Sequence, residues 1–101
     1  MARGIMVVQS SPVSPDQEDA FNDWYDNVHV PEICAVPGFV SARRYKIPGA
    51  PGYLAIYEIE ADDLAGPPAE WHARSAAGRT TGTRTLQLDP PPVVTVYELL
   101  P

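Results

Sequence analysis

The sequence has few of the residues that form disulfide bonds or bind metal ions. It has one cysteine, Cys34, in 101 residues, so neither an internal disulfide nor a paired-cysteine redox motif can form. The two histidines do not complete a ligand cluster, because Pro31 interrupts the helix between His29 and Glu32 and His72 stands alone. We therefore expect no bound metal ion.

Basic charge is scarce as well. The chain has seven Lys and Arg residues against thirteen Asp and Glu residues, and its formal net charge of −6 repels nucleic-acid backbones and anionic lipid headgroups. The first apolar run, residues 5–8, gives way to Gln9 and two serines, which makes it too short for a signal sequence or a membrane span. The sequence predicts a cytoplasmic protein that binds neither nucleic acid nor membrane.

Motifs for nucleotide and nucleophile chemistry are also missing. The chain has no glycine-rich phosphate loop, no dinucleotide-binding fingerprint and no Ser-His-Asp order. We accordingly expect no cofactor. Apolar material is present in quantity: 45% of the residues are hydrophobic and 20% are charged, which predicts a folded core. The length suits a single domain over residues 1–101.

The clearest local signal is the start of a helix. Residues 14–17 read Ser-Pro-Asp-Gln, which supplies an N-cap, a proline at the first position, an acid in the first turn and a capping-box glutamine. Downstream, Phe21, Trp24, Tyr25 and Val28 follow helical spacing and predict one apolar face. Because the residue before a proline avoids helical geometry, the pattern predicts that this helix ends near His29.

Strand patterns occur at residues 4–9, 39–47, 53–59 and 93–99, with a short extra strand expected at 85–88. A Gly-Pro-Pro sequence at 66–68 predicts the first turn of a second helix, which ends at Gly78. The order βαββαβ indicates an α+β, ferredoxin-like fold with an antiparallel sheet. Strands at 5–8, 53–57 and 93–97 are apolar on both alternating faces, so we expect a homodimer in which two sheets pack face to face.

A longer motif resembles a known family. Residues 21–33 read FNDWYDNVHVPEI, and they are followed by VPGF at 36–39 and RRY at 43–45. These segments resemble the EthD-like branch of the dimeric α/β-barrel superfamily. The resemblance implies ferredoxin-like chains paired through their sheets, with a pocket between each sheet and its helices. It also implies cofactor-free cyclisation, dehydration, decarboxylation, isomerisation or oxygenation of aromatic or polyketide-like compounds.

The candidate catalytic group is centred on His29. Tyr25 and Asp26 precede it by four and three residues, so the three side chains share one edge of a helix. We interpret His29 as a general base or acid, oriented by Asp26 or Glu32, with the Tyr25 hydroxyl polarising a substrate oxygen. The alternative is a histidine that only caps helix carbonyls. A helix end favours imidazolium and an apolar pocket favours the neutral ring, and the sequence leaves both open.

Candidate binding residues are mostly aromatic. A planar ligand would suit a pocket lined by Trp24, Phe39, Tyr57 and Trp71, although plain core packing explains each of them as well. Of the adjacent strand residues Arg43 and Arg44, only one can point to the helix side, and we assign Arg44 to bind a carboxylate or enolate oxygen. A salt bridge with one of the many acids is the alternative.

Three functions fit these residues. The first is a cofactor-independent enzyme that performs acid/base chemistry, such as cyclisation, dehydration or isomerisation, on a small aromatic or polyketide-like molecule. The second is a cofactor-free monooxygenase, in which the substrate itself activates oxygen and Trp24 and Tyr57 shape the site. The third is a non-catalytic dimer that binds a small molecule or assists another enzyme.

Overall fold

The sheet has four antiparallel strands. The computed structural model describes all 101 residues and places the strands at Ala2–Ser10 (β1), Phe39–Lys46 (β2), Tyr53–Ala61 (β3) and Val93–Glu98 (β4). Their spatial order is β2-β3-β1-β4, and the three neighbouring pairs are all antiparallel. The predicted α+β, ferredoxin-like fold is confirmed.

The first helical segment is longer than the sequence pattern predicts. It starts with a 3-10 turn at Pro15–Gln17 and continues as α1 (Glu18–Trp24), a π-helical turn (Tyr25–His29) and α2 (Val30–Cys34). The prediction that the helix ends near His29 is therefore wrong. A proline ring collides with the carbonyl four residues earlier in a regular α-helix, and the wider π-turn directly before Pro31 relieves that crowding and lets the helix continue.

The second helix, α3, spans Gly66–Ala76, and Gly78 follows it with a φ of +72°, as the glycine signal predicts. The extra strand expected at 85–88 is absent, since only an isolated bridge joins Pro12 to Leu86. Three consecutive prolines at 90–92 have no N–H to donate, so this part of the chain cannot continue a strand ladder.

The core lies between the sheet and the first helical segment. The buried side chains on the sheet side are Met6, Val8, Phe39, Tyr53, Ala55, Tyr57 and Ile59. Those that come from the first helical segment and the turn after it are Phe21, Tyr25, Ile33 and Val36. The site residues on the π-turn therefore sit directly above the buried face of the sheet.

The opposite face of the sheet has no helix over it. The register aligns Ile56 of β3 with Val7 of β1 and Thr95 of β4, and Glu58 with Ile5 and Tyr97. Ile5, Val7 and Ile56 are only half-buried, and all of β4 is exposed. We call this surface the open face. No helix of the chain combines the length and apolar character that crossing a bilayer requires.

Candidate functional site

The π-turn positions the two central side chains of the candidate site. Tyr25 opens the turn and His29 closes it, and the backbone N–H of Val30 donates to the carbonyl of Tyr25 across the widened ring. Such single π-turns are rare and occur often at functional sites. The turn keeps Tyr25 and His29 on one side of the segment, as the four-residue spacing predicts, with their rings 4.8 Å apart.

Three aromatic rings enclose the imidazole of His29. Trp24 stacks on its face, with ring centroids 4.3 Å apart and the planes inclined by 21°. Tyr25 meets it edge-on at 4.8 Å, and Trp71 of α3 does so at 5.3 Å. We call these four side chains the imidazole cage. Two of its members were predicted as pocket aromatics and Tyr25 as a proton donor, and the fold brings all three onto His29.

The imidazole is neutral at physiological pH. Burial lowers the pKa of His29 from 6.5 to about 4, the charge of Arg44 acts in the same direction, and the charge of Glu32 opposes them. The helix also continues five residues past His29, so the imidazole is not at a C-terminus whose carbonyls would favour the charged form. Of the two influences that the sequence left open, burial dominates, and His29 can act as a base.

The site contains two buried phenols, Tyr25 of the cage and Tyr57 of β3. Tyr57 is completely buried, and its hydroxyl faces the phenol of Tyr25 without forming a hydrogen bond of good geometry to any group. Burial raises the pKa of both tyrosines, so each remains a protonated donor at neutral pH. Phe39 packs against Tyr57 with ring centroids 5.9 Å apart and thus supports it from the side. A buried hydroxyl without a partner is costly and stays available to a bound molecule.

Arg44 covers the other side of Tyr25. Its guanidinium carbon lies 4.2 Å from the Tyr25 ring centroid, and its nitrogens donate to Asp26 at 2.8 Å and to Asn22 at 2.9 Å. The side chain is only 15% exposed, whereas the neighbouring Arg43 is exposed. As predicted, one of the two arginines faces the helices. The salt bridge given as the alternative is present, and the binding of a substrate oxygen by Arg44 stays a prediction.

Asp26 and Glu32 make contacts other than those we expected. Asp26 accepts the hydrogen bond from Arg44, and Glu32 accepts two from Thr81, so neither carboxylate hydrogen-bonds the imidazole. Glu32 is nevertheless near enough for its charge to raise the pKa of His29. The roles of all these residues in any reaction stay predictions.

Two residues of the site were missed. Asn22 precedes Tyr25 by three residues and Asp26 by four, which places it on the same helix edge, and this spacing was available in the sequence. Thr81 gave no such signal. It lies 49 residues beyond Glu32 in a connection without helix or strand, and only the folded chain brings the two together.

Two cavities lie away from the imidazole cage. One of about 480 Å³ sits between the end of β1, the β2–β3 hairpin and Pro90, and one of about 460 Å³ lies at the opposite end of the sheet, near Arg3 and Tyr97. Neither of them is lined by His29 or Tyr25. No group of three or more His, Cys, Asp or Glu side chains is placed to hold a metal ion. The half-buried imidazole is thus not part of either of these two cavities.

Solved structures with the same architecture were found, whereas no protein-family profile and no curated sequence matches the chain. A protein from Shewanella loihica PV-4, provisionally assigned as a monooxygenase, is 15% identical, with a TM-score of 0.64 over 100% of this chain and 98% of its own. The monooxygenase ActVA-Orf6 of Streptomyces coelicolor, in complex with nanaomycin D, is 17% identical, with a TM-score of 0.57 over 99% and 93%. An EthD-family protein from Bacillus halodurans is 16% identical, with a TM-score of 0.51 over 96% and 99%.

The chain has the fold of the dimeric α/β-barrel proteins. The fold named by the resemblance at residues 21–45 is thereby confirmed. At these identities the likeness extends to the fold and not to a reaction, because unrelated activities share one scaffold. The function has to be argued from the cage and the residues around it.

Proposed function

We propose that the chain is a cofactor-independent enzyme that moves a proton on a small aromatic or polyketide-like molecule, with His29 as the base. One observation supports this above the others: a neutral imidazole, with a pKa of about 4, lies among three aromatic rings on a π-turn. A base enclosed by flat apolar surfaces suits a flat apolar substrate. A histidine that only capped a helix would lie at the helix end, and His29 does not.

The surrounding groups suit the charges that such a reaction creates. When His29 takes a proton from an activated methylene or a phenol, the ring becomes an imidazolium and the substrate oxygen gains the electron pair. The charge of Glu32 and the face of Trp24 stabilise the imidazolium. The phenols of Tyr25 and Tyr57 and the guanidinium of Arg44 are donors for the enolate oxygen. Return of the proton to another carbon gives isomerisation, and expulsion of hydroxide gives dehydration.

The experiment follows hydrogen exchange at an activated carbon. Aryl 1,3-diketones and hydroxynaphthalenes are incubated in D2O, and the loss of the exchanging proton is followed by NMR. The wild-type chain should accelerate exchange above the buffer rate, and His29→Ala should remove at least about a hundredfold of that acceleration. His72→Gln is the matched control, because His72 is exposed on α3 and its ring is not one of those packed on His29. Wild-type exchange at the buffer rate for every compound, or full activity of His29→Ala, would reject the proposal.

A cofactor-free monooxygenase is the second candidate. It is favoured by the structural neighbour ActVA-Orf6, a monooxygenase bound to nanaomycin D. In this case the substrate anion formed by His29 reacts with oxygen itself, and Trp24 and Tyr57 shape the site. An oxygen electrode separates the two candidates: hydroxynaphthalenes consumed together with oxygen indicate oxygenation, and exchange without oxygen uptake indicates pure acid/base chemistry.

We also propose that two copies pair through the open face. Ile5, Val7 and Ile56 remain half-buried there, and Tyr97 is 53% exposed. A sheet with one solvated face normally alternates apolar and polar residues, and this one does not. Light scattering at micromolar concentration should give the mass of a dimer, and a monomer would contradict the proposal. The cytoplasmic location and the absence of nucleic-acid and membrane partners stay predictions from the sequence.

A further inference from the structure

One exposed segment is tied to the imidazole cage from outside. Between Gly78 and Thr85 the chain forms neither helix nor strand, and we call residues 79–84 the strap. Its far end is anchored, since the N–H of Val13 donates to the carbonyl of Thr85 at 2.7 Å. Its near end follows Gly78, whose φ is +72° and whose surroundings are open. The strap is thus held at two fixed ends.

The middle of the strap is held by hydrogen bonds between Thr81 and the side chains of Glu32 and Trp24. The Thr81 N–H donates to Glu32 Oε1 at 2.9 Å, and the Thr81 hydroxyl donates to Glu32 Oε2 at 2.8 Å. The Trp24 indole Nε1–H donates to the Thr81 carbonyl at 3.1 Å. Every polar group of Thr81 is therefore paired with the helical segment that carries His29. Gly82, next in the chain, has open space around it and allows the strap to bend.

Trp24 links the strap to the imidazole. The same indole that donates to Thr81 stacks on His29 at 4.3 Å, so the strap fixes the ring that covers the imidazole face. The other walls are less free to move: Tyr25 is buried in the core, and Trp71 belongs to α3. The three rings cover much of the half-buried imidazole, and Trp24 is the one of them that the strap holds in place.

We propose that the strap is a gate, and that Glu32 is a positioning residue that holds it shut through Thr81. In the open state, Thr81 no longer hydrogen-bonds to Glu32 and Trp24, and the Trp24 indole rotates away from the face of the imidazole. The space that the indole occupied can then hold a flat aromatic ring. The substrate class that this gate selects is a planar aromatic rather than a flexible chain. The assignment of a substrate rests on the proposed function, whereas the opening itself does not.

The test measures opening without any substrate. In Glu32→Ala two of the three ties are lost, and we expect the Trp24 indole proton to exchange with solvent at least about tenfold faster. We also expect the pKa of His29 to move from about 4 up towards 6.5, as the cage opens to water. Losing the Glu32 charge would by itself lower that pKa further, because among the charged groups acting on His29 only Glu32 raises it and Arg44 lowers it. A rise therefore reports exposure alone.

Matched variants complete the design. Thr81→Val keeps the Glu32 charge and removes one tie, so it should shift both readings in the same direction by less. Thr80→Val is the control, because the Thr80 hydroxyl contacts Ser75 and not the cage. Circular dichroism verifies folding, and Thr81→Val carries the test if Glu32→Ala does not fold. A Trp24 indole exchange rate that remains at the wild-type value in the folded Glu32→Ala and Thr81→Val variants overturns the gate.

The experiments can reject the gate and the proposed function independently of each other. Faster indole exchange in Glu32→Ala, combined with no deuterium exchange by the wild type on any diketone, would keep the gate and discard the enzyme. Activity lost in His29→Ala, combined with unchanged indole exchange in Glu32→Ala, would keep the enzyme and discard the gate.

Discussion

The two faces of the sheet differ in how completely their side chains are buried. On the helix side, Tyr57 and Ile59 of β3 are at most 1% exposed and belong to the core that includes Tyr25. On the open face, Ile56 of β3 and Val7 of β1 remain half-buried with no helix over them. Alternation along a strand assigns neighbours in sequence to different faces. The comparison teaches that one set of strands supplies both the floor of the candidate site and a second apolar surface suited to a partner.

The largest expected effect is at the floor of the site. Replacing Tyr57 by Ala removes a fully buried ring and should lower the free energy of unfolding by about 3–5 kcal/mol. Glu58→Ala, one residue on and exposed on the open face, should change it by less than about 0.5 kcal/mol. Urea denaturation of both variants measures the difference. Equal losses would mean that the two faces do not differ as described.

A charge on the open face should break the proposed dimer. Ile56→Lys places an ammonium group in the middle of that surface, twice in each symmetric pair. We expect the dissociation constant to rise by about a hundredfold, or about 2.7 kcal/mol. Val13→Lys, on an exposed valine outside the sheet, should leave it unchanged. Sedimentation over a dilution series distinguishes these outcomes, and an Ile56→Lys chain that pairs as tightly as the wild type would contradict the interface.

Acid should lower the free energy of unfolding through protonation of His29. Its pKa is about 4 when folded and 6.5 when exposed, so the unfolded chain binds more protons between these values. Stability is then fully present above pH 6.5 and falls as the pH drops towards 4. From pH 7 to pH 5 the loss should be about 2 kcal/mol. His29→Gln should lack this component and His72→Gln should keep it. Parallel pH profiles for wild type and His29→Gln would show that His29 is not buried as described.

The smallest expected change in the free energy of unfolding comes from removing the hydroxyl oxygen of Tyr57. Tyr57→Phe keeps the ring and deletes a buried hydroxyl that has no hydrogen-bond partner. We expect a gain of up to about 1 kcal/mol in the free energy of unfolding, because an unsatisfied polar group is removed. The matched change on a satisfied hydroxyl is Tyr53→Phe, which loses the bond from Asn22 and should cost about 1 kcal/mol. Thermal unfolding compares the two, and a clear loss in Tyr57→Phe would mean that its hydroxyl is bonded.

The sequence predicts those parts of the molecule that depend on near neighbours. The apolar run at residues 5–8, the Gly-Pro-Pro start of α3 and the spacing of Tyr25 and His29 all act over a few residues. They led to the sheet, the second helix and the pairing of the two rings. The motif at residues 21–45 added the fold that the solved structures share.

What the sequence could not predict depends on the whole fold. The rule for residues before proline ended the helix too early, because it does not allow for a π-turn ahead of Pro31. Whether Glu32 meets His29 or Thr81 depends on where a connection 49 residues away crosses the helix. The depth of burial that lowers the pKa of His29 likewise comes from Trp71 on a separate helix. The last two depend on long-range contacts, which leave no periodic pattern in the sequence.

The place of β4 at the edge of the sheet has a consequence for aggregation. Its only neighbour in the sheet is β1. When β4 detaches, β1 becomes an edge strand, with its backbone groups unpaired beside the apolar open face. A strand of another chain can then pair with β1, so detachment of β4 is the step at which this fold is most prone to misassociate.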